Sequence, residues 1–238
     1  MRIFSIDTIV FLCQIDAMEF DFRTIMIRGS KELGVAMSDD ALAQFEKYFK
    51  EIIIWNEKIN LISVRSVLAL PSRHFLDSLT ACSFIANRDG KLLDVGSGAG
   101  LPGIPIKITN PSLHVTLLES SRKKTSFLKH VIRTIALKNI SVFHNRLEDL
   151  PLRPSHRQAF DTVITRASLK LPQLITLTSP VLAVNGVLIA MKGPLDNKEI
   201  EASKKVSKKT GIYLDGMHTI SVPISGESRN CLVYKKVS

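Results

Sequence analysis

The segment Asp94-Val95-Gly96-Ser97-Gly98-Ala99-Gly100-Leu101-Pro102-Gly103 carries the most specific chemical signal in the chain. Glycines at alternate positions allow positive φ and let a ligand approach the backbone closely. A strand ending at Val95 and a helix starting near Ile104 would add free N–H groups and a positive dipole end at the same place. A nucleotide-like ligand is the implied occupant. A phosphate loop is excluded, because Gly98 and Gly103 have its spacing but Ile104 and Pro105 follow where Lys and Ser/Thr are needed. Gly98-x-Gly100-x-x-Gly103 matches a dinucleotide pattern, but it starts beyond the strand end and holds Pro102 in its spacer. The triplet Gly96-x-Gly98-x-Gly100 is better placed. Asp94 precedes it, and an acid there disfavours a pyrophosphate and suits a cationic aminoacyl group, as in S-adenosylmethionine. Glu119 closes the next strand and can accept hydrogen bonds from both ribose hydroxyls, a device that NAD enzymes share. Leu147-Glu148-Asp149 follows the third strand, where an adenine edge can be read by backbone or carboxylate; for Glu148 the competing reading is a solvated loop acid.

The acceptor atom is narrowed by missing parts. There is no Gly-x-Ser-x-Gly elbow, and the six histidines never fall at HxxxH spacing, so no metal is expected. Thr165-Arg166-Ala167 stands where methyltransferases of exocyclic amines carry Asn/Asp-Pro-Pro-aromatic. Cytosine-C5 chemistry needs a cysteine nucleophile, and Cys231 alone lies near a strand end. A ring nitrogen with a free lone pair, such as guanine N7, needs neither device. Catalysis there is mainly alignment and desolvation, with Arg166 or Lys192 donating to guanine O6.

Those residues must be positioned by an alternating fold. Lys91–Val95, Val115–Glu119, Ile140–His144, Phe160–Thr165 and Gly186–Met191 read as strands. Helices are expected from Ile104, through Phe127 to Ile135, from Pro172, and over Asn197–Lys209. Ile212–Val222 and Cys231–Lys235 read as closing strands. This is an α/β, Rossmann-like, doubly wound sheet with ligands at the carboxyl ends of its strands. Upstream the spacing is helical. Ser38 offers an N-cap for a helix carrying Leu42, Phe45, Phe49 and Ile52, and a second helix is expected from Arg73 to Ala86. Residues 1–37 are read as an extension, 38–89 as a helical cap and 90–238 as the cofactor-binding domain. The 238 residues carry 32 Lys and Arg against 22 Asp and Glu, a formal charge of +10, which fits a polyanionic partner. Three scattered cysteines and no long apolar run fit a reducing, cytoplasmic setting without membrane contact. The opening MRIFSIDTIVFLCQIDA is a poor signal peptide.

At this point the chain resembles the bacterial 16S ribosomal RNA (guanine-N7)-methyltransferase G family, also called glucose-inhibited division protein B. The matching pieces are Trp55-Asn56, Lys58-Ile59-Asn60-Leu61-Ile62-Ser63, Arg73-His74-Phe75-Leu76-Asp77-Ser78 and Asp94 to Gly103. Leu118-Glu119-Ser120, Arg146-Leu147-Glu148, Thr165-Arg166-Ala167, Lys192-Gly193 and Arg229 follow in the family's order. The resemblance implies a class I S-adenosylmethionine-dependent methyltransferase sheet with an antiparallel last strand. It implies a guanine in the decoding-region loop of 16S rRNA as substrate, within the 30S subunit or a precursor, and a role in rRNA processing. It carries cofactor contacts to Gly96, Leu101, Leu147, Glu148 and Arg166, joined by Gly98, Gly100 and, by fold analogy, Glu119. Residues facing RNA or the target base carry over to Asn60, Arg65, His74, Arg146, Lys192 and Arg229. Of these, Asn60, His74 and Lys192 join Arg166 as the catalytic candidates. A monomer is expected. Met1 to Ala17 lie outside the pattern, which leaves Met1 and Met18 as alternative starts.

Plainer roles stand beside these. Asn60 can close a turn, His74 can be a packed core residue, and Asp77 is expected to be a structural partner of a nearby base or backbone amide rather than a catalytic acid. Phe45, Phe49 and Trp55 are expected in the core. Arg122, Lys123 and Lys124, with Lys129 and Arg133, either grip phosphate or form a solvated helix face. Rival functions are an NAD-dependent oxidoreductase, a ribosome-binding module with a relic pocket, and a small-molecule methyltransferase.

Overall fold

A computed structural model describes residues 22–63, 69–152, 154–166 and 169–237. Arg65, Ala167 and Met1 to Met18 lie outside the described residues.

Seven strands form one sheet: β1 Lys91–Val95, β2 His114–Glu119, β3 Ile140–His144, β4 Phe160–Thr165, β5 Leu182–Lys192, β6 Ile212–Ser221 and β7 Ser228–Lys236. Their spatial order is β3-β2-β1-β4-β5-β7-β6. The first five are parallel, and β7 runs antiparallel between β5 and β6. This is the class I methyltransferase sheet, with its reversed last strand. The order reverses direction at β1, so the ends of β1 and β4 open a crevice there. Side chains alternate across the sheet. Leu92, Leu117, Ile189 and Val233 enter one core, and Leu93, Leu118, Leu188 and Leu232 enter the other.

The first core is covered by helix α1 (22–32), α2 (Asp39–Asn56), α3 (Asp77–Leu79), α4 (Gly103–Thr109) and α5 (Arg122–Thr134). The second is covered by α6 (Leu171–Thr178) and α7 (Asn197–Thr210). Ser38 caps α2 through its side chain, which accepts from the Ala41 amide at 3.1 Å. Phe45, Tyr48 and Ile52 are fully buried on its inner face. Residues 22–32, placed by sequence in the extension, are helical because Phe22 and Met26 reach the same core as Phe45 and Phe75. The cap and the sheet therefore share one apolar interior.

The long helix expected over Arg73–Ala86 is broken. Pro71 opens a π-helical turn, Pro71–Leu76, which runs into α3 and then, past Thr80 and Ala81, into a 3-10 turn, Cys82–Phe84. Ser78 Oγ donates to the His74 carbonyl and Thr80 Oγ1 to the Asp77 carbonyl, both at 2.6 Å, competing for groups a regular helix would use. Strand β5 starts before Gly186, because left-handed Asn185 and a register shift opposite β4 pass the Asn-Gly pair through a bulge.

Candidate active site

Beyond Val95 the chain turns through three left-handed glycines: Gly96 at φ 71°, Gly98 at φ 58° and Gly100 at φ 93°. The amides of Gly96 and Ser97 donate to the Leu118 carbonyl at 2.9 and 3.1 Å. Gly98 N–H donates to Glu119 Oε2 at 2.9 Å, and Ser121 N–H to Oε1 at 2.7 Å. The cap reaches the same loop, where the Tyr48 hydroxyl donates to the Ala99 carbonyl. The glycines differ in what they leave room for. A Cβ on Gly98 would meet nothing nearer than Gly96 O at 3.9 Å, whereas one on Gly100 would meet Ile104 and, at 2.9 Å, the Tyr48 hydroxyl. Gly98 thus faces open space, and Gly100 fits the loop to the cap.

Two recesses meet at Gly96. At the ends of β2 and β3, Leu118, Asn145, Leu147 and Glu148 wall the first. Beneath the cap, Leu61, Ser63, His74, Leu101 and Arg166 wall the second. Leu147 is buried and Glu148 exposed. Glu119 is buried with both carboxylate oxygens facing loop amides. Asp94 is fully buried under the loop, its Oδ2 accepting from Gly103 N–H at 3.0 Å and its Oδ1 unpartnered. It borders neither recess. Burial pushes its pKa up to about 7, against the pull of the Gly103 and Ser97 hydrogen bonds.

The cap brings His74 and Asp77 together with two sequence-distant arginines, Arg166 and Arg229. Asp77, 1% exposed, accepts from Arg229 Nε at 2.6 Å and Arg229 Nη2 at 2.8 Å, and pairs with Arg166 Nε at 3.0 Å. Arg166 Nη2 donates to His74 Nδ1 at 2.8 Å and to the Arg73 carbonyl at 3.2 Å. Since Nδ1 accepts, the neutral imidazole carries its proton on Nε2. Burial, then the positive charges of Arg166, Arg229 and Arg73, lower the His74 pKa to about 4. His74 Nε2 and Arg166 Nη1 are buried donors without a hydrogen-bond partner among the described residues.

The remaining candidates are spread around the cleft. Lys192 is drawn to the Leu169 carbonyl and to Glu199 Oε1 (3.1 Å), holding the segment after β4. Exposed Asn60 shares a separate notch with Lys58, Lys123 and Lys124 at the start of α5. Arg122 and Arg146 are exposed, Arg146 at the rim of the first recess. Arg229 is taken up by Asp77 and is not a free surface cation. Trp55 packs on Phe127 (5.7 Å) and His130 (5.2 Å), a core role as expected. Burial raises Cys82 and Cys231 to about 11, so neither is an activated nucleophile. No group of three or more metal-ligating side chains occurs among the described residues, and no helix there is long and apolar enough to cross a membrane.

Sequence reasoning passed over Tyr48 as a loop contact and Asn56 as the organiser of the cap turn. Asn56 Oδ1 accepts from the Leu61 and Ile62 amides, each at 3.0 Å, and so turns Leu61 and Ser63 toward the glycine loop. The available signal was an Asn at a helix end followed by a short polar stretch.

A family model described as GidB, rRNA small subunit methyltransferase G, matches residues 41–229. The ribosomal RNA small subunit methyltransferase G of Syntrophus aciditrophicus is 41% identical over 209 residues, 87% of each chain. Its namesake in Bacillus subtilis is 36% identical over 210 residues, 88% of each chain. Solved structures share the fold. P. horikoshii TYW2 in complex with MeSAdo matches with TM-score 0.52 and 15% identity, over 65% of this chain and 59% of that one. Geranyl diphosphate C-methyltransferase from Streptomyces coelicolor matches with TM-score 0.51 and 12% identity, over 66% and 78%.

Proposed function

The chain belongs to the rRNA small subunit methyltransferase G family, and from that membership we propose that it methylates N7 of a guanine in the decoding-region loop of 16S rRNA, with S-adenosylmethionine as donor. The observation that carries the cofactor assignment is the left-handed Gly98, whose missing side chain opens onto the cleft and onto no packed neighbour. When bound, S-adenosylmethionine supplies a sulfonium methyl group that a ring-nitrogen lone pair takes directly, with no proton to remove first.

The residues divide the work. Leu147 and Glu148 would frame adenine, and Glu119, with lone pairs left on each oxygen, would accept from ribose hydroxyls. Gly96, Gly98 and Leu101 would line the aminoacyl end, with Gly100 holding the loop in shape. Asp94 supports the turn from below through Gly103. The second recess would receive the base. Leu61 and Leu101 exclude water there, and Arg166, with His74 beside it, offers donors to a carbonyl such as guanine O6. A neutral His74 suits this role, since N7 methylation asks for no general base. Lys192 keeps the segment after β4 in place. Arg122, Lys123, Lys124 and Arg146 would take phosphates, joined by Asn60, with Arg65 as a further RNA candidate. Residues 38–89, with the helix over 22–32, would form the RNA-facing cap, and residues 90–238 the cofactor domain. The protein would act as a cytoplasmic monomer.

The test is transfer of labelled methyl to 30S particles and to naked 16S rRNA, followed by mapping of the modified nucleotide. Label at one guanine N7 in the decoding region is expected. Label on another atom or on no RNA, or binding of NAD in place of S-adenosylmethionine, overturns the reading.

A further inference from the structure

We propose that Asp77 is a positioning residue, whose buried carboxylate fixes the Arg166 guanidinium against His74 and leaves Nη1 without a hydrogen-bond partner among the described residues. The inference rests on the reading of Arg166 as an active-site residue. The root of Arg166 is set by the sheet, where Thr165 Oγ1 donates to the Val95 carbonyl at 2.9 Å. Its long side chain is not, and a free Arg samples many rotamers. Among the described residues, the contacts that orient the guanidinium come from cap residues 73–77: the Arg73 carbonyl, His74 Nδ1 and Asp77 Oδ2. The π-helical turn carries Arg73 and His74 and runs directly into Asp77 at the start of α3, and such turns recur at functional sites.

Asp77 holds two cations. Arg229 on β7 binds it through two nitrogens, which leaves the carboxylate one orientation and turns Oδ2 to Arg166. One carboxylate between two guanidiniums leaves a net positive site walled by cap and sheet. Removing it would set two like charges against each other, turn Arg166 away and take the donor from His74 Nδ1. The signature is therefore the tautomer of a histidine that Asp77 does not itself touch.

In 15N-histidine NMR, wild-type His74 should show a single Nε2–H tautomer, and Asp77→Asn a mixture of both. Asp77→Asn should lower kcat for methyl transfer to 30S particles about 100-fold, as expected for a misplaced active-site group, with KM for 30S changed less than about threefold. In an Arg166→Ala background the same substitution should change kcat less than about threefold. A merely structural Asp77 would cost the same factor in both backgrounds and leave the tautomer alone, and either result overturns the inference. Should the single variant fail to fold, Asp77→Asn/Arg229→Gln removes one of the two stranded guanidiniums and should give the same mixed tautomer. An Nδ1–H tautomer in the wild type overturns the inference without any variant. Wild-type protein that fails to methylate 30S would sink the proposed function, while the NMR result still decides the role of Asp77.

Discussion

Replacing Gly98 by valine separates cofactor binding from folding. Gly98 lies at φ 58°, a conformation that disfavours side chains by about 1–2 kcal/mol and more for β-branched ones. Its Cβ would meet no packed side chain, the nearest atom being Gly96 O at 3.9 Å. The variant should still fold, with Tm lower by at least about 2–8 °C at about 2–4 °C per kcal/mol for a chain of this size, since valine is β-branched. The isopropyl group would fill the space proposed for the aminoacyl end, and affinity for S-adenosylmethionine should fall at least about 100-fold, or about 2.7 kcal/mol. Gly103→Ala is the contrast. Its Cβ would sit 2.5 Å from Leu117 Cδ2 and 2.7 Å from Asp94 Oδ2, so overpacking of about 1–3 kcal/mol should show as lost stability. Titration calorimetry and thermal unfolding read both quantities. Wild-type affinity in folded Gly98→Val would refute the reasoning, because the open face of the loop would then hold no ligand.

Three further outcomes follow from the same geometry. Asp94 has a folded pKa of about 7 against 3.8 for a free carboxyl, so the folded state binds the extra proton between those values. Wild-type stability should then fall as pH rises through that window, while Asp94→Asn, which can still accept from Gly103 N–H, should lack the slope. Equal slopes in denaturant melts of the two proteins would count against a buried, under-paired Asp94. Arg166→Ala should slow methyl transfer at least about 100-fold and leave the far-UV spectrum unchanged; wild-type turnover would remove Arg166 from the site. Lys123→Glu/Lys124→Glu should flatten the log–log salt dependence of RNA affinity by about 1.5–2 units, one counterion per lost phosphate contact, and an unaltered slope would leave these lysines as a solvated helix face.

How far the sequence could be read depends on the reach of each interaction. Strands β1, β3 and β4 were legible to the residue, since each is a short apolar run ended by a turn or a glycine, and alternation into two cores needs only neighbours. The N-cap at Ser38 is local as well. The helix over Arg73–Ala86 was misread because Ser78 and Thr80 hydroxyls compete with helical bonding, which periodicity of apolar residues does not register. The resemblance alone made Arg229 an RNA-facing residue, and its sequence neighbours show nothing of its partner, 152 positions away.

The glycine triplet, the acids at the ends of β1 and β2 and the succession of strands and helices along the chain were written in the sequence itself, because backbone freedom and hydrophobic period are properties of adjacent residues. What each polar group does with its charge was decided by the tertiary structure. Asp94 was expected beside a cation and lies beneath the loop, bonded to an amide. Asp77, expected as a structural partner whose base the sequence does not name, joins the residue after β4 to β7 and the cap through two guanidiniums. Hydrogen bonds and ion pairs act within a few ångströms, and only folding brings residues so far apart along the chain within that range.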